Sequence, residues 1–372
     1  MTAMKNFLRT AFIVCALFVF FYPIIRFNRT AVVSQKENRN LAVRPLPIKN
    51  NDINRNLFAE YSAYLDDRFG GRQHLIDFNN TVNQKILHKR LFNSKAMQGK
   101  NGWWFYISAG DGNNYADFMK QNVLMPENLA LWKENVKNTA EWCETNGIKS
   151  IFLICPNKHS IYPEYYPFSR PDGITRADQL SAVLDSLGVS YVFPRDYILS
   201  QKSAFAYPLY YETDTHWNPQ GAYCAFELLR EKICAAFPET AFPNIKYTAE
   251  ISESDTAGDI LPMLNIKSAK STRPVLSPDG AENSDFYEYI KNEGRNGVIT
   301  RSKDSRLPRA LIFRDSFFTA LEPFTSPLFS EAEYHWRTFS DADKEAVLAF
   351  NPDIIIFERV ERGAQNLVQC SK

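Results

Sequence analysis

The sequence predicts an α/β body built on a mostly parallel sheet covered by helices on both faces, preceded by one N-terminal transmembrane helix. Three observations predict it. Four short runs, Ser150 to Cys155, Val189 to Phe193, Ala310 to Phe313 and Asp353 to Phe357, are almost wholly apolar, as strands buried on both faces are. Around them lie segments whose apolar residues recur every three to four positions, the period of a helix that packs one face. Ahead of both, Ala11 to Ile25 carries no charged side chain.

The apolar run AFIVCALFVFFYPII is flanked by Lys5 and Arg9 before it and by Arg26 and Arg29 after it. It is shorter than a full span of roughly 20 residues, but Phe7, Leu8 and a snorkelling Arg9 extend it. No small-x-small cleavage site follows, so an uncleaved anchor over residues 1–27 is expected. The charge rule alone does not orient it: Arg26, Arg29, Lys36 and Arg39 outnumber Lys5 and Arg9, so a positive-inside count would put the following domain in the cytoplasm. Residues 28–95 read as a linker and helical arm: polar and proline-punctuated to about Arg55, then helical to Leu91.

A catalytic body is expected over 96–372. In QGKNGWWFY a turn leads into an apolar strand. Pro126 opens a helix carrying Leu129, Trp132, Val136, Ala140 and Cys143 on one face, and Gly147 ends it. Thr175 caps a second helix with Leu180, Val183, Leu184 and Leu187 on one face, ended by Gly188. Asn218 and Pro219 open a third, which runs to Ala236. Between 238 and 306 the periodicity fades, and a loop-rich insertion near the rim is expected.

Charge excludes one function class. With 43 Lys and Arg against 42 Asp and Glu, there is no field to gather nucleic acid, and no basic stripe. The six cysteines, including Cys15 in the apolar run and Cys370 at the tail, lack metal-ligand spacing, so neither metal nor cofactor is expected. The 14% aromatic content suits sugar stacking and ordinary core packing equally.

In ALIFRDSFFTAL the buried strand runs into Arg314, Asp315 and Ser316, which brings a hydroxyl to the carboxyl end of a strand, where open α/β sheets bind ligands. A serine opening a helix is also an ordinary cap, so Ser316 needs a base. YYETDTHWNPQGAY supplies one. Residues two apart on an extended segment face one side, so Asp214 can orient the His216 ring while its other nitrogen takes the Ser316 proton. No second histidine stands at ligand spacing beside them.

DTHWN, RDSF, PNKHSIYPEYYP, ENRNLA, DRFGGR, GKNGWWFY and NPDIIIFERVER, in this order-rich set, resemble the alginate O-acetyltransferase family of AlgJ/AlgX type over most of residues 37 to 362. The resemblance implies a circularly rearranged SGNH hydrolase-like domain whose triad roles fall on Asp214, His216 and Ser316. It also implies a single-pass protein of the inner membrane, with its catalytic domain in the periplasm. Its partner there is a multi-pass membrane acyl-transfer protein that donates acetyl groups, and its acceptor is a polysaccharide. Many SGNH proteins have glycine where Arg314 stands, so Arg314 is read as a contact to an anionic sugar or as a salt bridge. Lys158 and Tyr162 match the family's PxK and YPE positions and are expected, with Trp217, to line the cleft. Asp67, Arg68, Arg72, Glu358, Arg359 and Arg362 match as well and are read as structural. The expected activity is transfer of acetyl through an acetyl-serine. The alternatives are an acetyl esterase on the same fold and a non-catalytic carbohydrate-binding component of an export and modification complex.

Overall fold

The computed structural model describes residues 2–30, 32–34, 39–49, 52–87, 89–291 and 297–369, so Cys370 lies outside the described residues. They form two compact units. Met1–Leu91 with Leu261–Lys267 make one, and Phe92–Ile260 with Ser268–Lys372 the other.

The first unit is built from helices α1 (Thr2–Ile25), α2 (Leu57–Arg68) and α3 (Arg72–Thr81). The side chains of Phe12, Phe18, Phe20 and Ile24 on α1 are exposed. Among the described residues no helix is long and apolar enough to cross a membrane, so the anchor stands as a reading of the sequence. At the end of α2, Asp67 accepts from the N–H of Ala42 at 2.7 Å, and Arg68 donates to the carbonyls of Asn28 and Ala42. These two charges tie the proline-punctuated arm to its own helix.

The strands of the second unit that build its central sheet and its long antiparallel pair are β1 (Lys149–Cys155), β2 (Tyr191–Val192), β3 (Tyr247–Thr256), β4 (Ala269–Pro278), β5 (Tyr287–Lys291), β6 (Gly297–Ser302), β7 (Arg309–Phe313), β8 (Glu331–His335) and β9 (Ile354–Val360). Seven of them make one sheet in the order β5-β6-β8-β7-β9-β1-β2. The pairings β8-β7, β7-β9, β9-β1 and β1-β2 are parallel, and β5-β6 and β6-β8 are antiparallel. The sheet is therefore mostly parallel, as its apolar strand sequences require.

Side-chain alternation sorts the core. On one face Ile151, Ala310, Ile312, Ala332, Tyr334 and Ile356 meet helix α6 (Pro219–Ala236) through Ala222, Ala225, Phe226 and Leu229. On the other, Phe152, Leu311, Phe313 and Phe357 meet α4 (Pro126–Thr145), α5 (Arg176–Leu187) and α7 (Lys344–Phe350). The caps fall where they were expected: Thr175 forms a capping box with Asp178, Gly188 ends α5, and the Asn218 side chain accepts from the N–H groups of Gln220 and Gly221.

The stretch 238–306 corrects the expected loop-rich insertion. It contains the antiparallel pair β3-β4, whose strands are ten residues each, and two strands, β5 and β6, that extend the central sheet. β3 is exposed along nearly its whole length, so no apolar alternation marks it in the sequence.

Candidate active site

Ser316 stands just past Arg314 and Asp315 after β7, at the carboxyl edge of the sheet, and opens a short 3-10 turn. Asp315 holds that turn. One of its carboxylate oxygens accepts from the N–H of Phe317 at 2.9 Å and the other from the N–H of Val360 at 2.8 Å, while its own N–H donates to Glu358 at 2.8 Å. The strand that leads to Ser316 is thereby stapled to its neighbour β9.

Asp214 and His216 sit on the loop before α6. They meet through a tight bend rather than along the extended segment expected from the sequence, because Asp214 Oδ1 accepts from both the N–H of His216 at 3.1 Å and its ring Nδ1 at 2.6 Å. His216 Nε2 lies 2.7 Å from Ser316 Oγ. Two further contacts hold this loop in place. Trp217 donates its indole N–H to the carbonyl of Phe317 at 3.0 Å, which joins the histidine loop to the serine turn. Gly221 packs so close that a Cβ there would lie 2.2 Å from the carbonyl oxygen of Leu209.

Asp259 was missed in the sequence, where it stands in an unremarkable Gly-Asp pair. Gly258 has φ +56°, a left-handed conformation natural to glycine, and a Cβ there would strike the carbonyl of Thr213. This turn brings the Asp259 N–H to Asp214 Oδ2 at 3.0 Å, and the Asp259 carboxylate accepts from the N–H and hydroxyl of Thr215 at 2.7 and 2.5 Å. Asp259 Oδ2 also lies 3.6 Å from His216 Nδ1. Two carboxylates thus flank one imidazole. Burial pulls the Asp214 carboxyl upward, but hydrogen bonds and charge from His216, helped by Lys158, prevail and hold it down at about 2. Burial and the Asp214 charge push Asp259 up.

Asp214, His216 and Asp259 each offer one ligand atom within 4.8 Å of the others, a spacing that could hold a metal ion. Both ring nitrogens of His216 are already engaged, by Asp214 and by Ser316.

The four residues expected to bind substrate are all buried, and each makes its hydrogen bonds or ion pair inside the protein. Lys158 donates to the carbonyls of Tyr211, Glu212 and Asp214 at 3.1, 3.2 and 2.6 Å, on the loop that carries Asp214 and His216. Burial lowers its ammonium to about 7, against the attraction of Asp259, Asp214 and Glu212. Tyr162 accepts from the N–H of Leu209 at 2.8 Å, and Trp217 is 1% exposed. Arg314 is 4% exposed and pairs with Glu322, so it makes a buried ion pair instead of a sugar contact or a surface salt bridge. Trp103 and Trp104 are also core. Their aromatic and cationic chemistry resembles a sugar cleft in the sequence, and only burial separates the two uses. The readings of Glu358 and Arg359 as structural agree with their contacts, to the N–H of Asp315 and to Thr338 respectively.

The family described as SGNH hydrolase-like domain, acetyltransferase AlgX, matches residues 96–290. Two curated relatives, each named probable alginate O-acetylase AlgJ, are similar to parts of the chain. That of Pseudomonas syringae pv. tomato is 27% identical over 139 residues, covering 37% of this chain and 34% of that protein. That of Pseudomonas putida is 26% identical over 179 residues, covering 44% of this chain and 45% of that protein. The chain therefore spans less than half the length of these relatives. The structure of Bacillus cereus PatB1 shares the fold, with a TM-score of 0.53 at 12% identity over 74% of this chain and 97% of that one. Since the family match takes in more than half of the chain, including the Asp214–His216 loop, the chain belongs to the AlgX family of SGNH hydrolase-like acetyltransferase domains.

Proposed function

We propose that this protein is a serine-dependent O-acetyltransferase that modifies hydroxyls of a cell-envelope or exported polysaccharide. The observation that carries the proposal is the unbroken line of hydrogen bonds from Asp214 through His216 to Ser316, at 2.6 and 2.7 Å. His216 takes the Ser316 proton as Oγ attacks the acetyl carbonyl of a donor ester. The tetrahedral adduct collapses, the donor's alcohol leaves with that proton, and acetyl-serine remains. A sugar hydroxyl then gives its proton to His216, attacks the acetyl carbon and releases Ser316, which recovers the proton. Asp214, held ionised, stabilises the imidazolium in both steps.

The relatives' name, alginate O-acetylase, supports a polysaccharide acceptor. The donor in this reading is a multi-pass membrane acyl-transfer protein, and α1 anchors the chain in the inner membrane with its body in the periplasm. What supports the anchor is the charge-free run Ala11 to Ile25 and the exposed apolar side chains on it.

The test is intact mass after treatment with 4-nitrophenyl acetate. An acetyl adduct is expected on the parent and absent from Ser316→Ala and His216→Ala, with turnover falling at least about 10³-fold. Equal labelling of folded parent and variants would remove the serine mechanism. Adduct that passes to water faster than to any sugar would make the protein an esterase.

A further inference from the structure

With Trp103, Trp104 and Trp217 buried, the acceptor sugar of the proposed reaction still needs a surface beside Ser316. β7 and β8 run parallel with Ala310 opposite Ala332 and Ile312 opposite Tyr334, all on the face that packs α6. One residue past the ends of these strands, at the carboxyl edge where Ser316 lies, stand Arg314 and Trp336, and the Arg314 N–H still donates to the carbonyl of His335 at 2.9 Å. His216 precedes α6, the helix that packs on that face.

Trp336 is the most exposed tryptophan of this body: it is 53% exposed, whereas Trp103, Trp104, Trp132 and Trp217 are buried and Trp142 is half-buried on the helix α4. It is also supported. The Arg314 guanidinium carbon lies 4.3 Å from the centre of its ring. Arg314 is itself fixed, by the buried carboxylate of Glu322, by Thr319 Oγ1 at 2.8 Å and by the carbonyl of Asp315 at 3.2 Å. The cation takes one face of the indole, and the exposed area is left for a ligand. An indole held flat with solvent on one side matches the C–H face of a pyranose ring, which is apolar and carries slight positive charge.

We propose that Trp336, backed by Arg314, is the platform on which the acceptor sugar stacks while its hydroxyl reaches the acetyl-serine. This rests on the acetyltransferase reading above and names the residue that would receive its substrate. The platform acts only in the second half of the reaction, because forming the acetyl-serine needs no sugar.

The two readings can be separated with the full chain in detergent. 4-Nitrophenyl acetate serves as donor, with alginate oligosaccharides as an anionic probe and cello-oligosaccharides as a neutral one. Trp336→Ala is expected to form the acetyl adduct at the parent's rate, while the KM for the accelerating sugar rises about tenfold. Trp336→Phe, which keeps a ring, is expected to recover part of that loss. The sugar should also shield the parent's tryptophan fluorescence from acrylamide, and this shielding should be missing in Trp336→Phe. An unchanged sugar KM in Trp336→Ala overturns the platform. So does an adduct that forms normally in a parent that neither sugar accelerates or shields. Failure of the parent to form any adduct strikes instead at the acetyltransferase reading itself.

Discussion

At the scale of single residues, the site is a problem of holding one imidazole between a hydroxyl and an acid. Asp214 solves half of it, with one oxygen shared between the backbone and ring of His216. Asp259 solves the other half indirectly, since it touches neither Ser316 nor a reacting atom but fixes Thr215 and the second oxygen of Asp214. It is a positioning residue. Asp259→Ala is expected to lower kcat about 10²-fold while the KM for 4-nitrophenyl acetate changes little, because a small misplacement of the base costs rate and not binding. Asp259→Asn, which still offers an acceptor to Thr215, should fall between the two. A folded Asp259→Ala protein with the parent's kcat would show that Asp214 orients the ring unaided. The sequence displayed Asp214 and His216 because they are neighbours in the chain, and it concealed Asp259 because 44 residues separate it from Thr215.

At the scale of elements, the carboxyl ends of β7 and β9 are joined through two acids, Asp315 and Glu358. Glu358 is fully buried, and burial first, then the Asp315 charge, push its carboxyl from 4.5 to about 8, against the pull of the Asp315 N–H and Arg359. The folded protein keeps a proton there that the unfolded chain releases. The stability this confers is whole below about pH 4.5 and is lost as the pH rises through about 8. Glu358→Gln, which cannot titrate, should therefore lose less stability than the parent between about pH 5 and about pH 8, by up to roughly 1.4 kcal/mol per pH unit. Urea unfolding at both ends of that range measures it, and parallel curves for parent and variant would refute it. The helices that carry the active-site loops were legible because each has a cap and an apolar stripe, as in Asn218 and α6. β3, β5 and β6 were not, since antiparallel strands with an exposed face or edge lack the uninterrupted apolar run that marks β1, β7 and β9.

At the scale of the whole molecule, the anchor and the catalytic body make separate claims. Deleting residues 2–27 from the full chain in cells is expected to move it from the membrane fraction to the soluble one, leaving the acetyl adduct of the body intact. Fractionation followed by intact mass reads both, and an unaltered distribution would mean that α1 is not the anchor. The sequence by itself determined the mostly parallel, helix-covered sheet, the strand that presents Ser316 and the pairing of Asp214 with His216, because apolar periodicity, caps and closeness along the chain are local properties, although the bend that makes this pairing was not among them. The tertiary structure alone decided which side chains reach solvent. Lys158, Tyr162, Trp217 and Arg314 carry the chemistry of a binding cleft, yet burial turns each inward, while Trp336 stays outside. It also decided that Asp259 stands beside His216, because the left-handed turn at Gly258 brings together segments that the chain keeps apart.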